Sequence, residues 1–206
     1  MSTAPAAGSS RRLWLNRKRI EHVQAFGKLR NIEADEVGLM LEWRNAPAVR
    51  ANMYTRHVIS EQEHLAWWQR LQQRQDQQYF MYEWQGGAAG IVGFTDIDTH
   101  SANASWAFYA APDAAKGTGS RMEFLALEHA FNVLQLNKLN CEVLAFNSAV
   151  IKLHQKFAFQ VEGIFREQHR VDDAYVDIYR LALLSREWDM HRDVMQEKLN
   201  KLIRGQ

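Results

Sequence analysis

Trp106-Ala107-Phe108-Tyr109-Ala110 is followed by Ala111-Pro112-Asp113 and then by Lys116-Gly117-Thr118-Gly119-Ser120. The first run is short, apolar and aromatic, the pattern of a buried strand. The proline-bearing run breaks it. Two glycines in the third run let the backbone turn tightly and bring its N–H groups close to a ligand. An amphipathic helix is predicted next, over Gly119–Leu136, with Met122, Leu125, Ala126, His129 and Val133 in its apolar stripe. A helix start carries unsatisfied N–H groups and the positive end of the dipole. Strand, glycine loop and helix start together make a cradle for a phosphate or pyrophosphate. The same glycines in another setting would only make a turn.

Working outward, Lys138–Phe146 reads as a strand, and Asn147-Ser148 caps a helix running through Phe157. Val161–His169 and Tyr175–Leu184 form an antiparallel hairpin around Asp172-Asp173, and Arg186–Ile203 is a charge-rich amphipathic helix. Upstream, Phe26–Arg30 is the first strand, and Val37, Met40 and Leu41 give helical spacing to Glu33–Asn45, which Pro47 stops. Ser60-Glu61-Gln62-Glu63 has the form of a capping box. It opens a helix reaching about Gln75, with Leu65, Trp68 and Leu71 on one face. Strands over Tyr79–Trp84 and Ala89–Ile97 flank a turn at Gln85-Gly86-Gly87-Ala88, and Asn103–Ala110 is the next strand. This order predicts one α/β domain with a mixed, mostly antiparallel sheet flanked by helices. The expected division is a leader over residues 1–25, the body over 26–184 and a C-terminal helix over 185–206.

A chain of 206 residues, 47% apolar and 24% charged, has the composition of a soluble globular domain. A net charge of +1 gives no footprint for nucleic acid. The single cysteine, Cys141, excludes an intrachain disulfide and fits a reducing compartment. No stretch is long and apolar enough to span a membrane. An Ala/Ser/Gly-rich start precedes the basic residues Arg11, Arg12, Arg17, Lys18 and Arg19, the reverse of a signal peptide. A cytoplasmic location is therefore expected.

The order of elements resembles the GNAT acyltransferase superfamily. That family's acetyl-CoA loop reads Gln/Arg-x-x-Gly-x-Gly/Ala, and here Ala114-Ala115-Lys116-Gly117-Thr118-Gly119 departs from it only at Ala114. Its later signature is Asn-x-x-Ala-Ile-x-Leu-Tyr-Glu-Lys-x-Gly-Phe. The matching stretch runs from Asn147 to Phe159 and places His154 where the family has tyrosine. A narrower resemblance, to the N-acetyltransferases of the pseudaminic-acid pathway, rests on Leu41-Glu42-Trp43-Arg44-Asn45, Met53-Tyr54, Ile59-Ser60, His64 and Trp67. Those enzymes acetylate the 4-amino group of a UDP-linked 4-amino-4,6-dideoxy-N-acetyl-altrosamine, on the way to a sugar that decorates flagellin. Relatives that acetylate ribosomal-protein N-termini also carry Glu-x-Arg-Asn, so they remain an alternative. A domain that binds acetyl-CoA without turnover is a third.

The resemblance implies acetyl-CoA as co-substrate and no metal. It places Phe108, Tyr109, Lys116, Gly117, Thr118, Gly119 and Ser120 beside the cofactor, Asn147 on its pantetheine arm and Lys156 on its phosphates. Asn147 also serves as a plain helix cap, and Lys156 as a solvated lysine. His154 either protonates the departing thiolate, as a group with a reference pKa near ~6.5 can, or only packs. Glu142 lies mid-strand between apolar neighbours, and burial there would raise its basicity, making it the candidate base for the substrate amine. The other reading is a solvent-facing strand glutamate. Cys141 has no basic neighbour in sequence and is not expected to act as a nucleophile. Arg44, Met53, Tyr54, His64, Trp67, Thr95 and Trp106 are the expected acceptor-binding set, with Arg44 and His64 on a diphosphate and the aromatic residues as an apolar wall. Each alone also reads as ordinary surface or core. The partners expected are small molecules, and sheet edges and the last helix leave a homodimer open.

Overall fold

The computed structural model describes residues 24–204, so the expected leader lies outside the described residues up to residue 23. Seven strands form one sheet in the order β1-β2-β3-β4-β5-β7-β6. They are β1 (Lys28–Asn31), β2 (Gln78–Trp84), β3 (Gly87–Asp98), β4 (Asn103–Ala110), β5 (Lys138–Leu144), β6 (Gln160–Val171) and β7 (Ala174–Leu184). The helices are α1 (Val37–Asn45), α2 (Pro47–Arg50), α3 (Glu61–Leu71), α4 (Thr118–Asn132), α5 (Ser148–Lys156) and α6 (Ser185–Arg204). All neighbouring strands are antiparallel except β4 and β5.

Side chains alternate across a strand, so the sheet sorts its residues onto two faces. Tyr82, Val92, Phe94, Ala104, Trp106, Leu139, Cys141 and Val143 share one core with Met122, Leu125 and Ile151 from α4 and α5 and with Trp188, Met195 and Leu199 from α6. Met81, Ile91 and Tyr109 point the other way, to Met40 and Trp43 of α1 and Trp67 of α3. The last helix is tied down by more than packing. Trp188, fully buried, donates its Nε1–H to Glu128 Oε1 at 3.0 Å, and Arg192 Nη2 reaches Glu128 Oε2 at 2.7 Å.

Local chemistry explains the turns. Gln85 and Gly86 both have positive φ, 51° and 81°, as a two-residue type I′ hairpin requires. Pro47 ends α1 as expected but also opens α2 as its first residue, where a missing N–H costs nothing. The capping box at Ser60 is half made. Ser60 Oγ accepts the Glu63 N–H at 3.2 Å, while the Glu63 carboxylate turns to His57 Nε2 at 3.0 Å. The buried face of α3 is His64 and Leu71, and Leu65 is exposed. Of the expected Leu65–Trp68–Leu71 stripe, Leu71 is buried and Trp68 half-buried, while His64 takes the place of Leu65, because His64 hydrogen-bonds to α1 and a histidine is not counted as core by periodicity. Val133 likewise falls beyond the end of α4 and is exposed.

The chain leaves α5 through Ala158 at φ 71°, where the family signature has glycine. An L-residue in this region is strained by about 1–2 kcal/mol, while glycine is not. Ala158→Gly should therefore raise the stability to chemical denaturation by about 1 kcal/mol, after the entropy that glycine adds to the unfolded chain. Equal or lower stability would mean that the site relaxes the strain.

Candidate active site

The sheet is interrupted at its centre. The parallel pairing of β4 with β5 covers only Asn103–Ser105 against Lys138–Asn140. Beyond it β4 continues to Ala110, still paired with β3, and β5 to Leu144, still paired with β7, but no ladder joins them. The strands part, and the β4 edge from Trp106 onward faces a gap. At the first step past the seam, Trp106 buries its indole Nε1 without a hydrogen-bond partner among the described residues. Exposed strand edges accept an extended ligand that carries amides of its own.

The glycine loop lies at the same end. Gly117, the N-cap of α4, takes φ 84°, which only glycine adopts without strain. A Cβ on Gly119 would meet Leu153 Cδ2 at 3.3 Å and Phe108 Cε2 at 3.6 Å. This glycine therefore lets the start of α4 close on α5 and β4. Thr118 Oγ1 donates to the Ala115 carbonyl at 2.7 Å and accepts from Arg121 Nη2 at 2.9 Å. Arg121 also donates through Nε to the Tyr82 hydroxyl at 3.1 Å and lies 4.1 Å from the centre of the Trp84 ring. It is almost fully buried, and each of these partners is neutral. A cation held this way beneath the loop adds positive potential to a helix start that already favours anions. Sequence reading passed Arg121 by, since an arginine one turn into a helix carries no signal. Lys116 and Ser120 belong to the same loop and first turn, while Lys156 is exposed on the last turn of α5. Asn147 is the N-cap of α5, but its side chain makes no capping bond, which corrects the expected cap.

His154 lies on α5 and is almost fully buried. Its Nδ1 is 2.8 Å from Glu123 Oε1 of α4, and Glu123 is fully enclosed. Trp106 and Phe108 of β4 and Phe159 surround the ring. Burial disfavours the imidazolium, but the Glu123 carboxylate and the Cys141 sulfur outweigh it, and the His154 pKa is pushed up to about 10. Burial in turn pushes the Glu123 carboxyl up, against the pull of His154. Such a pair titrates as a unit.

On the opposite face, a cleft of about 380 Å³ opens between the sheet and α1–α3. Met40, Arg44, Met53, Ile59, His64, Trp67, Tyr79, Phe108 and Tyr109 contribute to its wall. Arg44 Nη2 donates to the Thr55 carbonyl at 3.1 Å, and its Nη1 is buried without a partner among the described residues. Burial lowers the Arg44 pKa and Arg50 adds to this, while Tyr109 works against it. The wall holds one carboxylate, Glu63, already engaged with His57. His64 hydrogen-bonds through Nε2 to the Val37 carbonyl at 3.0 Å and stacks on Trp67. Burial lowers its pKa, so it is neutral at pH 7 and brings no charge to a diphosphate, correcting that expectation.

Five of the seven expected acceptor residues thus divide clearly. Arg44, Met53, His64 and Trp67 line this cleft, while Trp106 sits in the core on the far side of the sheet. Thr95 lies two residues beyond Gly93 on β3, outside the lining, with its hydroxyl 3.4 Å from Asp96. Tyr54 lines a neighbouring cleft with Glu142, Phe165, Gln168 and His169. The Tyr54 hydroxyl donates to Glu142 Oε2 at 3.0 Å, and Arg180 pairs with Glu142 Oε1 at 3.1 Å. Burial raises the Tyr54 pKa and the bond to Glu142 adds to it. Glu142 is a third exposed, so the expected burial is absent. Alternation on β5 turns Cys141 and Val143 into the core and Glu142 outward, where Arg180 stands opposite it in register. Among the described residues no group of three or more His, Cys, Asp and Glu side chains is placed to hold a metal ion, and no helix is long and apolar enough to cross a membrane.

A parted parallel strand pair, a glycine loop at a helix start and a cleft on the other face define an acyl-transfer fold. A family model described as an acetyltransferase (GNAT) domain matches residues 28–160, and the chain belongs to that family. It is an N-acetyltransferase, and acetyl-CoA is the acyl donor of the family. The chain is 31% identical to the acetyltransferase PseH of Campylobacter jejuni over 65% of its length and 85% of that protein. It is 27% identical to spermidine N(1)-acetyltransferase of Escherichia coli over 55% of its length and 62% of that protein. The spermidine N-acetyltransferase of Vibrio cholerae, solved in complex with CoA and spermine, superposes with a TM-score of 0.74 at 21% identity, covering 78% of this chain and 96% of that one.

A half-buried cation without a carboxylate partner opposes folding when the cleft is empty. Arg44→Met, similar in length and uncharged, should leave the ligand-free protein equally stable or more stable by up to about 1 kcal/mol, read from urea unfolding. A loss above about 1 kcal/mol would show that Arg44 holds the fold rather than awaiting a ligand.

Proposed function

We propose that this enzyme transfers the acetyl group of acetyl-CoA to the 4-amino group of a UDP-linked amino-deoxy sugar, in the cytoplasm, on the route to a flagellin-decorating sugar. The observation that carries the acceptor class is Arg44, whose buried, unpartnered guanidinium edge stands in an aromatic cleft without a free carboxylate. A planar fork of donors suits a diphosphate. The apolar side chains Met53, Ile59, Trp67 and Tyr79 suit a base and the methyl edge of a 6-deoxy sugar. A polyamine needs carboxylates to balance its charge, and a basic peptide terminus does too. Arg44 and Arg70 in the wall argue against both. Similarity to PseH supports the same reading.

Acetyl-CoA supplies an activated thioester. Its pantetheine amides would continue the ladder along Phe108 and Tyr109, with Asn147 at the far side of the gap. The diphosphate would rest on the Lys116–Ser120 loop, with Lys156 and the buried Arg121 adding charge. Glu142 lies on the acceptor side of the sheet, fixed by Tyr54 and Arg180, and takes the amine proton directly or through a water. That role rests on position rather than on burial. The amine then attacks in a ternary complex, without an acyl-enzyme. Cys141 is buried beneath the strand, away from the acceptor face.

Release of the CoA thiol separates the readings. Turnover is expected with the UDP-amino sugar and near background with spermidine or an N-terminal peptide. Preference for spermidine would reverse the assignment. Arg44→Ala should raise the Michaelis constant of the acceptor tenfold or more, equivalent to about 1.4 kcal/mol, and leave that of acetyl-CoA nearly unchanged. The opposite pattern would place Arg44 on the cofactor.

A further inference from the structure

A fully enclosed carboxylate with one partner needs a reason, since burying an acid is costly unless its charge is used. Glu123 is such a group. It is 0% exposed, its Oε1 holds His154 Nδ1 at 2.8 Å, and its Oε2 has no partner among the described residues. A leucine there would join Met122, Phe124, Leu125 and Leu127 in an unbroken core. The partner it holds is itself buried, between α4 and strands β4 and β5. Trp106 and Phe108 of β4 flank the ring, and Cys141 of β5 adjoins it.

We propose that Glu123 is a positioning residue for acyl transfer, which fixes the His154 ring through Nδ1 so that Nε2 keeps a proton and presents it to the departing thiolate. The inference rests on acetyl-CoA lying in the gap, as proposed above. As the amine nitrogen bonds to the acetyl carbon, the carbon–sulfur bond breaks and its electron pair stays on sulfur. The Nε2 proton passes to that sulfur, leaving CoA as the thiol. A neutral imidazole remains, its Nδ1–H still held by Glu123, and water restores the lost proton once the product leaves. Whether the proton shared with Glu123 sits on nitrogen or oxygen, Nε2 remains protonated until the pair as a whole gives one up.

The groups that set this equilibrium are Glu123 from α4, Cys141 from β5 and Lys156 on the same helix as His154, whose charge also acts on Glu123. β4 contributes only the Trp106 and Phe108 rings. Against burial, the Glu123 carboxylate and the Cys141 sulfur together raise the His154 pKa to about 10, so the protonated form dominates at neutral pH and is lost as the pH rises through that value. Removing the carboxylate leaves burial, which lowers it, opposed only by the Cys141 sulfur.

The test compares the parent with Glu123→Gln, which keeps the shape and removes the charge. Acetyl-CoA affinity is measured by calorimetry, kcat is followed from pH 6 to 10.5, and 15N spectra report the histidine ring nitrogens. Parent affinity for acetyl-CoA is expected in the variant. Its kcat at pH 8 should be at least tenfold lower, with the alkaline limb moved down by a unit or more and partial recovery towards pH 6. A folded variant that binds acetyl-CoA and keeps the parent limb would overturn the proposal. If the variant does not fold, the parent spectra decide. A protonated Nε2 at pH 8 supports the proposal, and a bare Nε2 overturns it. A parent protein that binds no acetyl-CoA would remove the cofactor site and this inference with it, and that result appears in calorimetry before any rate is measured.

Discussion

A β-sheet is stable when its strands share their backbone hydrogen bonds, and this one gives that up at its centre. Three residues on each side form the seam between β4 and β5. α4 and α5 bring the glycine loop, Asn147 and His154 to one face, while α1–α3 wall the cleft lined by Arg44 and Trp67 on the other. The two halves of the sheet remain one body because Leu139, Cys141 and Val143 from beyond the gap share a core with Val92, Phe94 and Trp106. The same core receives Trp188 from the last helix, so α6 closes the side of the molecule that the interrupted sheet would otherwise leave weak.

Electrostatics divides the two faces. On the α4 side a buried cation, Arg121, meets only neutral acceptors, and a buried acid, Glu123, meets only histidine. On the acceptor side Arg44 has a carbonyl and no acid, while Glu142 has both a phenol and a guanidinium. The incompletely matched charges, at Arg44, Arg121 and Glu123, are the candidates for functional groups, while Glu142 is fully paired.

Much of the architecture was legible in the chain. Strand β4 and the glycine loop fixed the core motif, and turn chemistry at Gln85-Gly86 and Asp172-Asp173 placed both hairpins. What was not legible depended on direction. Periodicity assigned Leu65 to the core because it could not know that His64 would bond to Val37. Trp106 and Phe108 share a face that alternation alone could not assign to cofactor or acceptor. Glu142 and Cys141 are neighbours in sequence but point to opposite sides of β5, so the expected buried base is an exposed ion pair. Glu123 did leave a trace, as a lone acid within Met122–Leu127, an otherwise apolar run.

The Arg44 guanidinium has a consequence for how the enzyme behaves in different media. A cation without a protein counter-ion takes the oxyanion that surrounds it, and inorganic phosphate or sulfate offers the same oxygens as a diphosphate. On the proposed placing of the acceptor's diphosphate at Arg44, such salts would act as competitive inhibitors against it. Choice of buffer would shape the measured activity, and the free phosphate of the cell would set how much of the enzyme is open to its substrate.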